Sequence, residues 1–360
     1  LIVADLQDPP EIISDFIRKW EEGYKLVIGI KTKSEESFLF FGIRKFYYYL
    51  INKLSDTELV KNFTGFGLYD REVINDLRKI NDTYPYLRGL VSELGYDLAK
   101  GIRIRSLKMV CKSKSSHIGS CLSIADILAV LYGQELAFNP EKPDWIERDR
   151  FILSKGHAAS ILYAVLAEVG FFTKEDLSTY CEDGSLLAGH VNHYVNGVEF
   201  STGSLGHGLS VGCGVALSAK RDKKSFRTYV LLSDGEMDEG SNWEAILFAP
   251  QHKLDNLIAI VDYNKQQGLG VTSEIINLEP LIDKWQSCGW SVREVNGHDH
   301  GELIDTFNSI PFENNKPCAI IAHTKKGKGV SFMEDKLEWH YKSPDSDQLK
   351  IALNELNNSG

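Results

Sequence analysis

Two short runs, "RTYVLLSDG" and "NLIAIVDYN", constrain this chain more than any other feature of it. Each is apolar along its length, so a strand built from it must be buried on both faces. Each then stops on an acid or an amide. Strands of this kind belong to a mostly parallel sheet with helices covering both faces. Similar runs at "RFILS" (150–154), "WSVREVN" (290–296) and "PCAIIAHT" (317–324) extend the pattern set by 227–234 and 256–263. Helical periodicity fills most of the intervals, as in "DLAKGIRIRSLKMVCK". "SIADILAVLYG" opens with Ser123 and Asp126 spaced as a capping box. The fold class is α/β, and in such sheets ligands bind beyond the carboxyl ends of the strands.

That rule explains the acidic turn "SDGEMDEG". Asp234 and Gly235 end one strand, and Asp262 and Asn264 end the next, with one crossover helix around "GSNWEAILFAPQ" between them. A βαβ unit of this order brings Asp234 close to Asn264. A carboxylate, an amide oxygen and a nearby backbone carbonyl are hard ligands for Mg²⁺ or Ca²⁺, completed by phosphate oxygens and water. Gly235 lets a diphosphate approach the backbone, and the helix that follows offers free N–H groups. The plain alternative is a pair of ordinary turns, Asp-Gly and Asn.

Charge and cysteine usage narrow the class. A net charge of −10 argues against nucleic acid or an anionic membrane as the main partner. The cysteines are scattered without a Cys-x-x-Cys pair, as in reduced cytoplasmic proteins. No apolar run is long enough for a membrane span. The chain opens on "LIVADLQD", in what reads as mid-strand, so a fragment is expected. The histidines lie in glycine-containing turns, where imidazole suits proton transfer near neutral pH. Their spacing does not suit zinc. "HTKKGKG" (323–329) reads equally as a phosphate-binding patch and as a solvated basic loop.

From about Asp97 onward the chain resembles the thiamine diphosphate-binding half of transketolase. The resemblance rests on "SSHIGSCLSIADILAVLY", "RFILSKGHAASILYAVL", "LAGHVN", "GVEFSTGSLGHGLSVGCGVALSAK", "SDGEMDEG…VDYN", "DYNKQQGLG" and "GKGVSFMEDKLEWHYKSP", in family order. Ser233 replaces the glycine that usually opens the metal motif. The resemblance implies thiamine diphosphate and Mg²⁺ as cofactors, with Ca²⁺ a possible substitute. It implies that Asp234, Asn264 and the Gln266 carbonyl hold the metal, and that His157 and Gly235 meet the diphosphate. Gly203 and Leu205 would meet the aminopyrimidine. His117, His190 and His340 would surround the reacting carbon. Glu239 and Glu244 would join a carboxylate network between two active sites. It further implies ketol transfer between sugar phosphates. The implied partner is a separate polypeptide, the pyrimidine-domain subunit, in a homodimer or heterotetramer. Another thiamine diphosphate enzyme, such as a synthase or ketoacid dehydrogenase component, or a non-catalytic scaffold, are the alternatives.

Residues 1–95 read differently. "ADLQDPPE", "WEEGYKLVIGIK", "FYYYLINKLSD", "TGFGLYDREVI" and "YLRGLVSELGY" resemble the latter part of a family 2 glycosyltransferase domain of the polyprenyl-phosphate type. That resemblance implies a partial GT-A-like segment in which Asp5 and Asp8 face metal or sugar nucleotide. Val3 stands where the family's Asp-x-Asp motif has its first carboxylate, so an inactive remnant is the expectation, with a fusion of residual activity as the alternative. The domain boundary is expected at 95–97, glycine turns at "TGFG", and a helix in "FLFFGIRKFYYYLINKL".

Overall fold

The computed structural model describes residues 13–22, 26–30, 63–69 and 87–358. Its centre is a five-stranded, wholly parallel sheet of β3 (Arg150–Leu153), β4 (Thr228–Ser233), β5 (Leu257–Tyr263), β6 (Ser291–Asn296) and β7 (Cys318–His323), in spatial order β3-β4-β5-β7-β6. All five expected strands form. Every residue of β4 and β5 is buried. Alternate side chains of these strands enter opposite layers. Tyr229, Leu231, Ile258 and Ile260 join one apolar cluster, and Val230, Leu232, Ala259 and Val261 the other.

The first layer is built by α2 (Leu87–Ser113), α3 (Ile118–Ser123), α4 (Ala125–Val130) and α5 (Ala159–Glu168), through side chains such as Ile102, Leu122, Ile127 and Ile161. The second is built by α6 (Gly208–Arg221), α7 (Gly240–Gln251) and α8 (Leu281–Ser287), through Leu209, Ile246 and Trp285. Each aliphatic side chain fully removed from water on these faces contributes about 1.5–3 kcal/mol. The helix-to-sheet distance is set locally. A Cβ on Gly212 of α6 would lie 2.5 Å from Val230 of β4, so only glycine lets that helix sit so close. The helices α9 (His300–Phe307) and α10 (Ser346–Asn358) complete the first layer with Leu303, Phe307, Ala352 and Leu356.

The capping box expected at Ser123 and Asp126 does not form. Ile124 occupies the N-cap of α4, and no side chain caps it. Ser123 instead reaches Asp262 Oδ2 at 2.7 Å, and Asp126 is bound by Arg103, His298 and His300. Long-range partners of full or partial charge outcompete a local backbone N–H here.

In the N-terminal region α1 (Ile13–Glu21) precedes an antiparallel pair, β1 (Leu26–Ile30) and β2 (Phe63–Tyr69). The expected strand in "EEGYKLVIGIK" is β1. The glycine turns expected at "TGFG" are instead part of strand β2, where ladder pairing with β1 outweighs the conformational cost of glycine. The opening strand with Asp5 and Asp8, and the helix expected in "FLFFGIRKFYYYLINKL", lie outside the described residues. The junction expected at 95–97 falls inside α2, which runs through it unbroken. Gly95 is buried in that helix, and a Cβ there would meet His300 Nδ1 at 2.8 Å. Among the described residues no helix is long and apolar enough to cross a membrane.

Candidate active site

The carboxyl ends of β4 and β5 deliver a group of oxygen atoms. Ser233 pairs with Asp262 across the two strands, which places Asp234 and Asn264 one and two residues beyond the pair. Asp234 is 1% exposed, yet among the described residues it has no cationic side-chain partner. Its carboxylate accepts backbone N–H groups from Gly235 (2.8 Å) and Lys265 (2.5 Å), and the Thr272 hydroxyl at 3.4 Å. Burial, then the neighbouring Asp262 charge, push it up to about 7. Asn264 donates from Nδ2 to Asp262 (3.0 Å), and its Oδ1 accepts the Gln266 N–H (3.1 Å). Asp262 is fully buried as well, and burial alone would raise it. The Lys155 ammonium at 2.6 Å, with the Thr324 and Ser123 hydroxyls, more than offsets that and holds it below the usual range.

Facing these oxygens is a cluster of imidazoles. His117 lies 5.0 Å from His157, 6.3 Å from His190 and 4.9 Å from His340, centroid to centroid. His117 occupies the left-handed region (φ 73°) just before α3, and its N–H bonds the His340 carbonyl at 2.9 Å. Burial, then His190 and Lys326, push His117 down to about 4; burial and Lys326 push His340 down to about 3. Burial and Lys155 hold His157 well below the usual imidazole range. Lys326 is 1% exposed. Its ammonium donates to His340 Nδ1 and to the Gln266 carbonyl, each at 3.1 Å, which leaves the ring proton of neutral His340 on Nε2. Burial and Lys155 push Lys326 down to about 8.

Small residues keep the cleft close to its walls. A Cβ on Gly203 would lie 2.9 Å from the His190 ring, and one on Gly268 would lie 2.8 Å from the Tyr341 hydroxyl and 3.1 Å from His340 Nε2. A lone buried carboxylate, an amide oxygen, a backbone carbonyl, buried ammonium groups and neutral imidazoles thus meet at the strand ends. The match to known proteins covers the same part of the chain. Residues 95–356 match the family model described as transketolase, thiamine diphosphate binding domain. The chain belongs to this transketolase family. It is 46% identical over 254 residues to one of the apulose-4-phosphate transketolase subunits, that of Phocaeicola vulgatus, covering 71% of this chain and 90% of that protein. It is 41% identical over 274 residues to 6-deoxy-6-sulfo-D-fructose transketolase subunit SqwG of a Clostridium species, covering 75% of this chain and 100% of that protein. The crystal structure of Campylobacter jejuni transketolase superposes with a TM-score of 0.70 at 32% identity, covering 74% of this chain and 43% of that one.

The transketolase cofactor is thiamine diphosphate with a divalent cation, and the observed donors fit it. Asp234 is a buried carboxylate that a dication would hold ionised, and its neighbours supply hard neutral oxygens. Among the described residues no group of three or more His, Cys, Asp or Glu side chains is arranged to hold a metal ion by itself. That suits an ion whose remaining ligands come from phosphate and water. The sequence-predicted residues His117, His157, His190 and His340 are brought together, as are Asp234, Asn264 and Gln266. Leu205 is half-buried in the Gly203–Gly206 turn. Glu239 and Glu244 stand exposed at the start of α7, Glu239 against Gly206. Among the described residues, no hydrogen bond or ion pair joins either carboxylate to the histidines.

Three buried residues escaped the sequence reading. Lys155 sits inside "SKGHAAS" two residues before His157, and Lys326 lies in the "HTKKGKG" loop. Glu236 is fully buried; its carboxylate accepts the Ser154 hydroxyl, the Gly206 N–H (2.9 Å) and the Ser233 N–H (3.4 Å). It therefore ties the ends of β3 and β4 to the turn before α6. The available signal was a charged residue set directly against an apolar run, which requires a buried partner.

Proposed function

We propose that this chain is the diphosphate-holding subunit of a two-polypeptide transketolase that moves a two-carbon ketol unit between sugar phosphates in the cytoplasm. The observation that carries the reading is the meeting of the Asp234–Asn264–Gln266 oxygens with four imidazoles at the ends of a parallel sheet. Support for the split comes from the relatives. The chain covers 90% and 100% of two proteins named as single subunits, but 43% of a one-chain transketolase. A pyrimidine-domain subunit is the partner, in a heterotetramer or around a homodimer of this chain.

In this reading Asp234, Asn264 Oδ1 and the Gln266 carbonyl hold Mg²⁺. His157, Gly235, Lys155 and Lys326 meet the diphosphate, and Gly203 and Leu205 meet the aminopyrimidine. When bound, the thiazolium takes up the carbanionic charge produced by C–C cleavage next to a carbonyl. The protein supplies orientation and proton transfer. His117 and His340 are neutral bases at physiological pH, because burial and nearby ammonium groups disfavour their charged forms. With His190 they accept and return protons at the donor and acceptor hydroxyls. Glu239 and Glu244, exposed on α7, carry the carboxylate link toward a second active site. Residues 1–95 are read as a glycosyltransferase-like remnant without activity of its own, joined to the rest of the chain through α2.

Reconstitution tests this reading. The chain mixed with a pyrimidine-domain subunit should convert a ketose phosphate and an aldose phosphate to the exchanged pair, and neither polypeptide alone should do so. Robust turnover by the chain alone, or decarboxylation products in place of exchanged sugars, would contradict it.

A further inference from the structure

A second polar cluster lies behind the cleft, away from the metal-holding oxygens. Asp126 of α4 is 3% exposed and Arg103 of α2 is 7% exposed. The guanidinium meets both carboxylate oxygens, Nη1 to Oδ1 at 3.1 Å and Nη2 to Oδ2 at 2.5 Å. His298, in the loop after β6, reaches Asp126 Oδ2 from Nδ1 at 2.7 Å. His300, the first residue of α9, reaches Oδ1 from Nε2 at 3.2 Å and stacks on Tyr96 at 3.8 Å. Burial would raise Asp126, but Arg103 and the two imidazoles together hold it well below the usual carboxylate range. Ionised Asp126 only accepts, so His298 Nδ1 carries the proton and Nε2 is left as an acceptor.

That acceptor is used. The Lys325 backbone N–H donates to His298 Nε2 at 2.8 Å. Lys325 immediately precedes Lys326, whose ammonium faces His340 and the Gln266 carbonyl. Other bonds also hold the turn: the Gly327 N–H donates to the Gly119 carbonyl, the Asp335 N–H to the Lys326 carbonyl, the Lys328 N–H to the Lys325 carbonyl, the Val330 N–H to the Gly327 carbonyl, and the Lys325 ammonium to Glu334 at 3.1 Å. Among the bonds to backbone groups of 325–327, the one at the Lys325 N–H is made by the His298 side chain.

We propose that His298, held by Asp126 and Arg103, is a positioning residue of the cofactor site: it fixes the 325–327 turn and thereby sets the Lys326 ammonium in the cleft. The inference rests on the reading of the cleft as a thiamine diphosphate site. Lys326 touches the ligand, and His298 acts through it. His298→Leu fills similar space but neither donates nor accepts. His298→Gln keeps one donor and one acceptor on a planar group and should rescue.

The test is calorimetric titration of thiamine diphosphate, with Mg²⁺ present, into the full chain and into His298→Leu, His298→Gln, Lys326→Ala and the Leu/Ala double variant. His298→Leu should weaken binding by about tenfold, and His298→Gln should stay within about threefold of the parent. The double variant should bind within about twofold of Lys326→Ala alone, because one residue works through the other. Parent-like binding by His298→Leu, or losses that multiply in the double variant, would overturn the proposal. Hydrogen exchange should show lost protection across 323–329 in His298→Leu and retained protection in His298→Gln; unchanged protection in the leucine variant counts against it. If His298→Leu does not fold, ¹⁵N shifts of the parent's His298 ring decide: the Nδ1–H tautomer near neutral pH is expected, and the Nε2–H tautomer overturns the proposal. If the parent itself does not bind thiamine diphosphate, the cofactor reading fails, while exchange and tautomer still decide whether His298 holds the turn.

Discussion

The two sides of the cleft answer the same burial in opposite directions. On the oxygen side Asp234 is pushed up to about 7, and on the imidazole side His117 and His340 are pushed down to about 4 and about 3. Each shift disfavours the charged form. The functional meaning differs. In the proposed reading a neutral imidazole is already the base that proton transfer needs, whereas Asp234 would serve as a ligand only when ionised and so would depend on a cation. Asp262, two residues before Asn264, shows what a cation does: with the Lys155 ammonium at 2.6 Å it is held low despite full burial. Among the described residues the protein gives one of two adjacent carboxylates an internal counter-ion at 2.6 Å and gives the other none within ion-pair distance, which is the place the proposed reading assigns to a metal.

The comparison is most severely tested by removing the internal counter-ion. Lys155→Met leaves Asp262 charged, buried and unpaired, and should cost about 3–5 kcal/mol in urea unfolding. A loss below about 1 kcal/mol would show that the ion pair is not what keeps Asp262 ionised. On the metal side, Asp234→Ala should weaken Mg²⁺-dependent thiamine diphosphate binding by about a hundredfold or more, and Asn264→Ala by about tenfold, because one removes a charged ligand and the other a neutral one. Equal losses in calorimetry would remove the distinction.

The imidazole side gives a pH prediction. His117 has a lowered folded value, so the unfolded chain binds more protons as pH falls from 6.5 to about 4, and stability drops across that window. Replacing it by Asn should recover about 1–2 kcal/mol at the acid end, a figure reduced for solvent screening of a partly exposed ring. Unfolding midpoints measured across the window check this, and an unchanged acid limb would contradict it. The smallest effect is expected from the far N-terminal region. Removing residues 1–86, which spares α2, should leave cofactor affinity within about threefold of the parent. A hundredfold loss would make the chain one cooperative unit.

The strands were legible because β4 and β5 are apolar over most of their length and buried at every position, a pattern that admits few alternatives. Their ends were legible for the same reason, since a carboxylate or amide stopping such a run must sit where ligands bind. Spatial order was not, and β7 lies between β5 and β6 although it follows both in the chain. Local patterns misled where distant partners won. Ser123 and Asp126 have capping spacing but bind Asp262 and Arg103 instead, and "TGFG" sits in a strand that pairs with β1 through Gly67 and Ile28, with a register irregularity beyond that pair. Lys155, Lys326 and Glu236 were not legible because their partners come from segments distant in the chain. The family match begins at residue 95, yet α2 crosses that point, since helix continuity depends on local backbone bonds.

The central claim is that the lone carboxylate at the end of β4 works through a divalent ion. Calorimetric titration of the full chain with thiamine diphosphate, with Mg²⁺ and then with EDTA, tests it most directly. The account predicts saturable binding with Mg²⁺, at least a tenfold loss with EDTA, and recovery when Ca²⁺ is supplied in place of Mg²⁺. Equal affinity in Mg²⁺ and in EDTA would contradict it.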